Sequence, residues 1–326
     1  MSKTSILKDN VFKTTRDDES IWMYHPKKGY FVKAETYIRE HLARDASKYS
    51  NARYNDLLGL IKGRTYVDRE EFGDKDGFLN LRNGILDIKK KELLSHSPLY
   101  KFISRLEIDY NPDIECQLFN EMIDIVPEIS KLQPWFAYHL LPEHGQQKVA
   151  MFLPGKADSG RTTILNILQA FVGIEYTSHF QLRELSDPIT IAGLYGMKAN
   201  IHADLSYTQI KDVSGFKTIT GGDFVTGRMI YAKPIHYKPH AKLTFASNKL
   251  PDLYVDVMND EAWWNRVAVV EFPNSIQMCN RKIGISDEII KKELSGVLNW
   301  TLESYGSTID KSNNQITWLS AQSGYP

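Results

Sequence analysis

The run Gly155-Lys156-Ala157-Asp158-Ser159-Gly160-Arg161-Thr162-Thr163 carries residue types whose spacing suits the binding of a phosphate chain. Glycines at 155 and 160, followed by a cation and then hydroxyls, match the pattern G-x-x-x-x-G-K-[ST] in everything except the cation. In such a loop the glycines let backbone N–H groups of residues 155–163 curl round the phosphates. A following helix N-terminus adds positive potential, and Thr162 offers a hydroxyl to Mg²⁺. The usual lysine is Arg161 here, a planar fork in place of a compact point charge. Asp158 puts a negative charge inside the loop, with Arg161 or Lys156 as its expected partner.

Positioning this loop requires a strand before it and a helix after it. Val149-Ala150-Met151-Phe152-Leu153 is a short apolar run, starting from about Gln147. Ile164 to Phe171 repeats its apolar residues at helical spacing. Further elements must deliver partners to the same place. Met197–Ser206 is a strand-like run in which Asp204 is the candidate acid for Mg²⁺, with His202 beside it. Only one carboxylate is present there. Ala241–Pro251 is a strand ending in Asn248, a side chain able to orient water or touch a terminal phosphate. Ala262-Trp263-Trp264-Asn265-Arg266-Val267 supplies Arg266, a candidate arginine finger donated across a subunit boundary. Between them, Met229–His240 reads as a hairpin with its tip near Ala232-Lys233-Pro234, flanked by Tyr231 and His236. In a ring, such tips converge on a pore and grip a nucleic-acid backbone.

The 326 residues allow two or three domains, and 42% hydrophobic with 25% charged residues is an ordinary globular composition. Lys+Arg and Asp+Glu balance at 40 each, so nucleic-acid contact must come from a local patch. Cys116 and Cys279 lie far apart, which excludes an evident zinc cluster and suits a reducing compartment. With no long apolar run and no signal-like start, a cytoplasmic protein without membrane contact is expected.

Residues 1–10 are polar and expected to fray. Ile21–Tyr24 and Tyr30–Val32 predict a hairpin, and helices are expected at Glu35–Arg44 and Tyr54–Lys62. Phe78–Ile88 predicts a hairpin around Asn83-Gly84, with positive φ in its turn. Lys89-Lys90-Lys91 reads as a solvated turn, and residues 96–112 as a further strand. Cys116–Ile125 and Ile129–Leu141 are helical. Their stripe of Trp135, Phe136 and Tyr138 reads as core, and Pro142-Glu143-His144-Gly145 ends the helical segment.

Taken in order, these pieces resemble the superfamily 3 helicase domain, in the branch found in phage, plasmid, archaeal-virus and poxvirus primase–helicase proteins. The stretches that carry the resemblance are NLRNGILDI, HSPLYKFISRLEIDYNP, FAYHLLPEHGQQKVAMFLPGKADSGRTT, IAGLYGMKANIHADLS, FKTITGGDFVTGRMIYAKP, YKPHAKLTFASNKLP and WWNRVAVVEFP. They cover roughly residues 60–275. The resemblance implies an α/β chain: an N-terminal α/β domain of primase–helicase type over 1–112, a helical connector over 113–146, an AAA+-like P-loop ATPase core with a central sheet flanked by helices over 147–275, and a helical segment and tail over 276–326. It implies ATP and Mg²⁺ as cofactors and a hexameric ring translocating 3′ to 5′ on single-stranded DNA or a replication fork. A primase or polymerase partner is also implied. Carried over by position, Gly155 through Thr163 bind nucleotide, Thr162 and Asp204 hold the metal, Asp204, Asn248 and Arg266 are catalytic, and Lys233, Tyr231 and His236 face DNA. Arg161 departs from the family lysine. A second reading is therefore a ring-forming DNA-binding replication protein with an impaired ATPase, and a third is a monomeric P-loop NTPase.

Overall fold

The chain divides between Tyr110 and Asn111 into two units in a computed structural model, which describes residues 6, 10–43, 50–141, 148–205, 209–231, 233–310 and 315–316. The frayed start, the helix stop at Pro142–Gly145, the strand start at Gln147, Ser206 and Ala232 fall outside those residues, as does the end of the tail.

In the first unit, β1 (Phe12–Thr15), β2 (Ile21–His25) and β3 (Tyr30–Lys33) pair antiparallel in sequence. Helices α1 (Glu35–Ala43) and α2 (Asn51–Thr65) follow, and β4 (Tyr66–Val67) joins β1 in parallel, giving the order β3-β2-β1-β4. Ser50 caps α2 by accepting from the Arg53 N–H at 3.2 Å. Ile38, Leu57 and Ile61 from the helices pack on Phe12, Ile21 and Met23 from the strands, so alternation along each strand and helical spacing along each helix meet in one core.

The expected hairpin forms as β5 (Phe78–Leu81) and β6 (Gly84–Asp87), extended by β7 (Glu92–Leu94). Its turn differs from the expectation. Leu81 pairs with Gly84, so Arg82 and Asn83 make the turn, and neither has positive φ. Side chains replace the glycine chemistry. Asn83 exchanges two 3.0 Å hydrogen bonds with the Tyr110 backbone, and Arg82 forks onto Asp109. The strand expected over 96–112 does not form either. Pro98–Tyr100 is a 3-10 turn capped by Ser97, since proline has no N–H for a ladder, and only Leu106 bridges Leu81 beyond it.

The second unit opens with α3 (Gln117–Ile123) and α4 (Ile129–His139). It continues with β8 (Ala150–Pro154), α5 (Arg161–Val172), β9 (Thr177–Ser178), α6 (Pro188–Gly193), β10 (Ala199–His202) and α7 (Ser214–Gly221). Then come β11 (Val225–Gly227), β12 (Ile235–Tyr237), β13 (Lys242–Ser247), α8 (Val255–Met258), α9 (Glu261–Trp264), β14 (Val267–Val269), α10 (Ile285–Lys292) and α11 (Leu294–Thr308). Five strands form one parallel sheet in the order β14-β8-β13-β10-β9. Numbered as they occur in the chain, that is fifth, first, fourth, third, second. Both faces of the sheet are covered, which is why β8 and β13 are buried along their whole length instead of alternating. The core joins Phe152 and Phe245 to Phe216 and Trp263.

The aromatic stripe of α4 is core, as expected: Trp135, Phe136 and Tyr138 are each 1% exposed. Trp135 Nε1 donates to Thr244 Oγ1 at 3.1 Å, tying α4 to the middle strand of the sheet. Phe119 of α3 and Phe136 of α4 meet the Trp300 ring of α11 edge-on at 5.0 and 5.7 Å.

His139, at the end of α4, is buried with one ring nitrogen 2.8 Å from the Trp135 carbonyl oxygen. Burial first, and the nearby Lys242 ammonium second, push its pKa down to about 3. The folded chain therefore keeps a neutral imidazole where the unfolded chain takes a proton below about pH 6.5. Stability should be full above that pH and fall towards pH 3 by up to about 1.4 kcal/mol per pH unit from this group. Urea midpoints at pH 7 and pH 5 measure the slope, which His139→Gln should flatten. An equal slope in the variant would assign the acid sensitivity elsewhere.

Candidate active site

The parallel register decides which residues can meet. Ser247 pairs with Pro154, and His202 with Phe245, so β8, β13 and β10 all end at the same edge of the sheet. The loop 155–160 follows β8 there, Asn248 follows β13, and Asp204 lies two residues beyond β10. Ligands of open parallel sheets bind at this carboxyl edge.

Gly160 begins α5 with φ +90°, and no side chain caps the helix. Ser159 is 3% exposed, and its Oγ makes no hydrogen bond with any described residue. A buried hydroxyl left unpaired beside an uncapped helix N-terminus is the donor set an anion would complete. Ser159, Gly160, Arg161, Thr162 and Thr163 line a cavity of about 880 Å³. Thr162 and Asp204 are both exposed at this edge of the sheet. Among the described residues no three His, Cys, Asp or Glu side chains gather for a metal. An ion carried in on nucleotide phosphates needs fewer protein ligands, and one hydroxyl with one carboxylate fits that requirement.

Arg161 lies against strand ends. Its Nη1 donates to the Ser247 carbonyl oxygen and, at 3.4 Å, to that of Leu153. Its Nη2 donates to the Lys156 carbonyl at 3.1 Å and to Asn248 Oδ1 at 3.0 Å. The guanidinium thus clasps β8 and β13 and orients Asn248, a task that needs a fork of donors.

Asp158 pairs with neither Arg161 nor Lys156. It sits at φ +59°, and Oδ2 accepts from Arg281 Nη2 at 2.8 Å, far along the chain. The intervening segment is stitched to the loop. Lys156 N–H donates to the Phe272 carbonyl at 3.1 Å, Ser275 Oγ to the Ala157 carbonyl at 2.7 Å, and Ile276 N–H to the Asp158 carbonyl at 2.8 Å. Residues 274–277 and 281–283 line the cavity with Glu121 and Met122 of α3 and with Ile125 just beyond that helix. No motif marks these residues in the sequence, because they contribute backbone and cations distant from the loop in sequence.

The Asp204 N–H lies 3.4 Å from Nδ1 of His202. Burial lowers the pKa of His202, against the raising effect of the Glu184 and Asp204 carboxylates. Glu184 is a second acid near this strand end that sequence spacing missed, since it arrives on the 3-10 turn Leu182–Glu184. Arg266 stands elsewhere. Its carbonyl accepts from Ala150 N–H at 2.8 Å, at the start of β8, so it lies at the opposite edge of the sheet from its own loop. Its Nη1 donates to the Ala262 carbonyl at 2.5 Å, and its Nε is buried without a described partner.

A hairpin forms, but its first strand is β11 (Val225–Gly227) and its second β12, so Met229–Tyr231, expected as a strand arm, lie in the connecting loop. Tyr231 at its tip is fully exposed with φ +59°, and Lys233 is exposed. The exposed His236 engages Thr226 Oγ1 through Nδ1 at 2.8 Å. The structure therefore groups the loop, Asn248 and Asp204 at one edge, while Arg266 and the hairpin residues stand apart as separate features.

Residues 6–126 match the family described as D5 N terminal like, and residues 153–266 match a family of unknown function, DUF5906. A protein of Acanthamoeba polyphaga mimivirus, named as a candidate helicase, is 40% identical over 60 residues. In sequence and fold the chain is similar to the phage and viral primase–helicase type. The mimivirus match takes in 18% of this chain and 6% of that relative. An apo structure of the NrS-1 C-terminal region superposes with a TM-score of 0.60 at 13% identity, covering 96% of this chain and 70% of that one. A second, A-form apo structure of that region gives 0.58 at 12% identity, covering 92% and 67%. At such identity these two establish the fold alone. No described helix is long and apolar enough to cross a membrane.

Gly155 makes the stitching possible. A Cβ there would lie 2.4 Å from the Phe272 carbonyl oxygen and 2.5 Å from its Cβ. Gly155→Ala should destabilise the chain by about 1–3 kcal/mol and displace the loop. The measurement is a melting curve together with nucleotide binding, and an unchanged melt with unchanged binding would show that the segment yields freely.

Proposed function

We propose that the chain is an ATP-dependent replicative DNA helicase of a virus, plasmid or integrated mobile element. It works as a homo-oligomeric ring, hexameric in the related helicases, on single-stranded DNA in the 3′ to 5′ sense. The observation that carries this reading is the single sheet edge where the uncapped α5, the unpaired Ser159 hydroxyl, Asn248 and Asp204 converge. ATP supplies the phosphoryl group, and Mg²⁺ screens its charge with Thr162 and Asp204 as protein ligands. Arg266, at the far edge from its own loop, supports donation to a neighbouring copy. The exposed hairpin, with Tyr231, Lys233 and His236, is the contact to DNA. A primase or polymerase partner would supply the complementary activity at the fork.

The test is steady-state ATP hydrolysis with and without single-stranded DNA, beside Arg266→Ala. DNA-stimulated turnover should fall by about 10³-fold or more in the variant, the scale expected of a lost finger. Turnover that persists in Arg266→Ala would sink the trans arrangement.

A second reading, an ATPase-impaired ring, draws on Arg161. Its fork is engaged by the carbonyls of Ser247, Leu153 and Lys156 and by Asn248. If the clasp is an adaptation, Arg161→Lys lowers turnover by about tenfold or more, since an ammonium cannot hold both strand ends and Asn248 together. A large gain in turnover would instead favour the impaired ring.

A further inference from the structure

Arg161, the loop cation at the helix start, is committed to strand ends, and Lys156 is exposed on the loop, which raises the question of which charge meets the phosphates from the other wall. Two cations line that wall of the cavity. Lys282 pairs with Glu121 of α3 at 3.0 Å, away from the loop. Arg281 reaches the loop itself, with Nη2 on Asp158 and Nε donating to the Ile276 carbonyl at 3.1 Å. Ile276 is in turn hydrogen-bonded to Asp158, so Arg281 and the loop share one frame.

Asp158 has no evident reason to sit in a phosphate loop except this pair. Its carboxylate is 55% exposed and the Arg281 side chain 41% exposed, so the pair is weakly held and readily exchanged. An arriving triphosphate repels Asp158 and attracts Arg281, and a guanidinium binds phosphate oxygens through the same fork that now binds the carboxylate. Ser159, adjacent to Asp158 and buried with its hydroxyl unpaired, marks the cavity between them as the place where an anion is missing from the donor set.

We propose that Arg281 is a phosphate-binding residue acting in cis, and that Asp158 is its resting counterion, displaced when the polyphosphate of a nucleotide enters the cavity. The proposal rests on the nucleotide-binding reading of this site. It gives Asp158 the role of a competitor for Arg281: a substitute anion that keeps the cation oriented until phosphate takes over.

The two partners are therefore expected to respond in opposite directions. Affinities for ATP, ADP and AMP bearing a ribose-linked fluorophore are measured by anisotropy on the full chain. Arg281→Gln should weaken ATP binding by about tenfold and flatten the preference for ATP over AMP, the loss of one charge-assisted contact. Asp158→Asn should tighten ATP binding by about threefold or more, and asparagine tolerates the left-handed backbone at this position. Arg281→Lys should keep most of the dependence on phosphate number. Melting curves without nucleotide identify any variant that loses its fold, and the Asp158→Asn arm then carries the test. If both exchanges weaken binding and leave the ATP-to-AMP ratio unchanged, the pair is a structural clasp and the proposal is overturned. If the wild-type chain binds none of the three nucleotides, the functional reading itself falls, and the role of Arg281 with it.

Discussion

Parallel strands must end on the same side, and the site in this chain follows from that constraint. Once β8, β13 and β10 run in one direction, whatever follows each of them is delivered to one edge, however far apart in sequence. Pro154, Ser247 and His202 are the last residues of three such strands, and the loop, Asn248 and Asp204 are what comes next. The buried faces of the sheet supply the stability: Phe152, Phe245, Phe216 and Trp263 fill the space beneath, with ring centroids 4.6–6.4 Å apart in the contacts between them.

The parts of the fold that could be read from the chain were those with a local cause. The hairpin at 21–33, the helices at 35–43 and 51–65, the buried stripe of α4 and the strand-loop-helix at 150–172 each follow from spacing within a few residues. The failures share a different cause. At Arg82-Asn83 the turn is held by Asp109 and Tyr110, partners distant in sequence, so the rule for isolated Asn-Gly turns gave the wrong turn residues. Residues 96–112 look extended, yet Pro98 and the side chains of Asn80 and Asn83 take over where a ladder would have run.

The site shows the same division. The loop, Asn248 and Asp204 could be found because each is the terminal polar residue of an apolar run. Arg281 could not, since nothing near it in sequence announces a partner 123 positions away. Asp158 was visible as an anomaly, but its resolution lay in a contact that only the tertiary structure supplies. Arg161 was visible as a departure from lysine, and its geometry gives the departure a physical sense: a planar fork can bridge carbonyls of two adjacent strand ends and an amide oxygen together.

The placement of Arg266 has a consequence for symmetry. A chain with its loop at one end of a sheet and its arginine at the other has a head and a tail. A two-fold pair in which each copy's arginine met the other's loop would close on itself as a dimer, whereas a head-to-tail arrangement leaves one loop and one arginine open at each step. In head-to-tail stacking every copy is both donor and acceptor. Such stacking either closes into a ring or continues as a filament, and the rotation from one copy to the next decides between them.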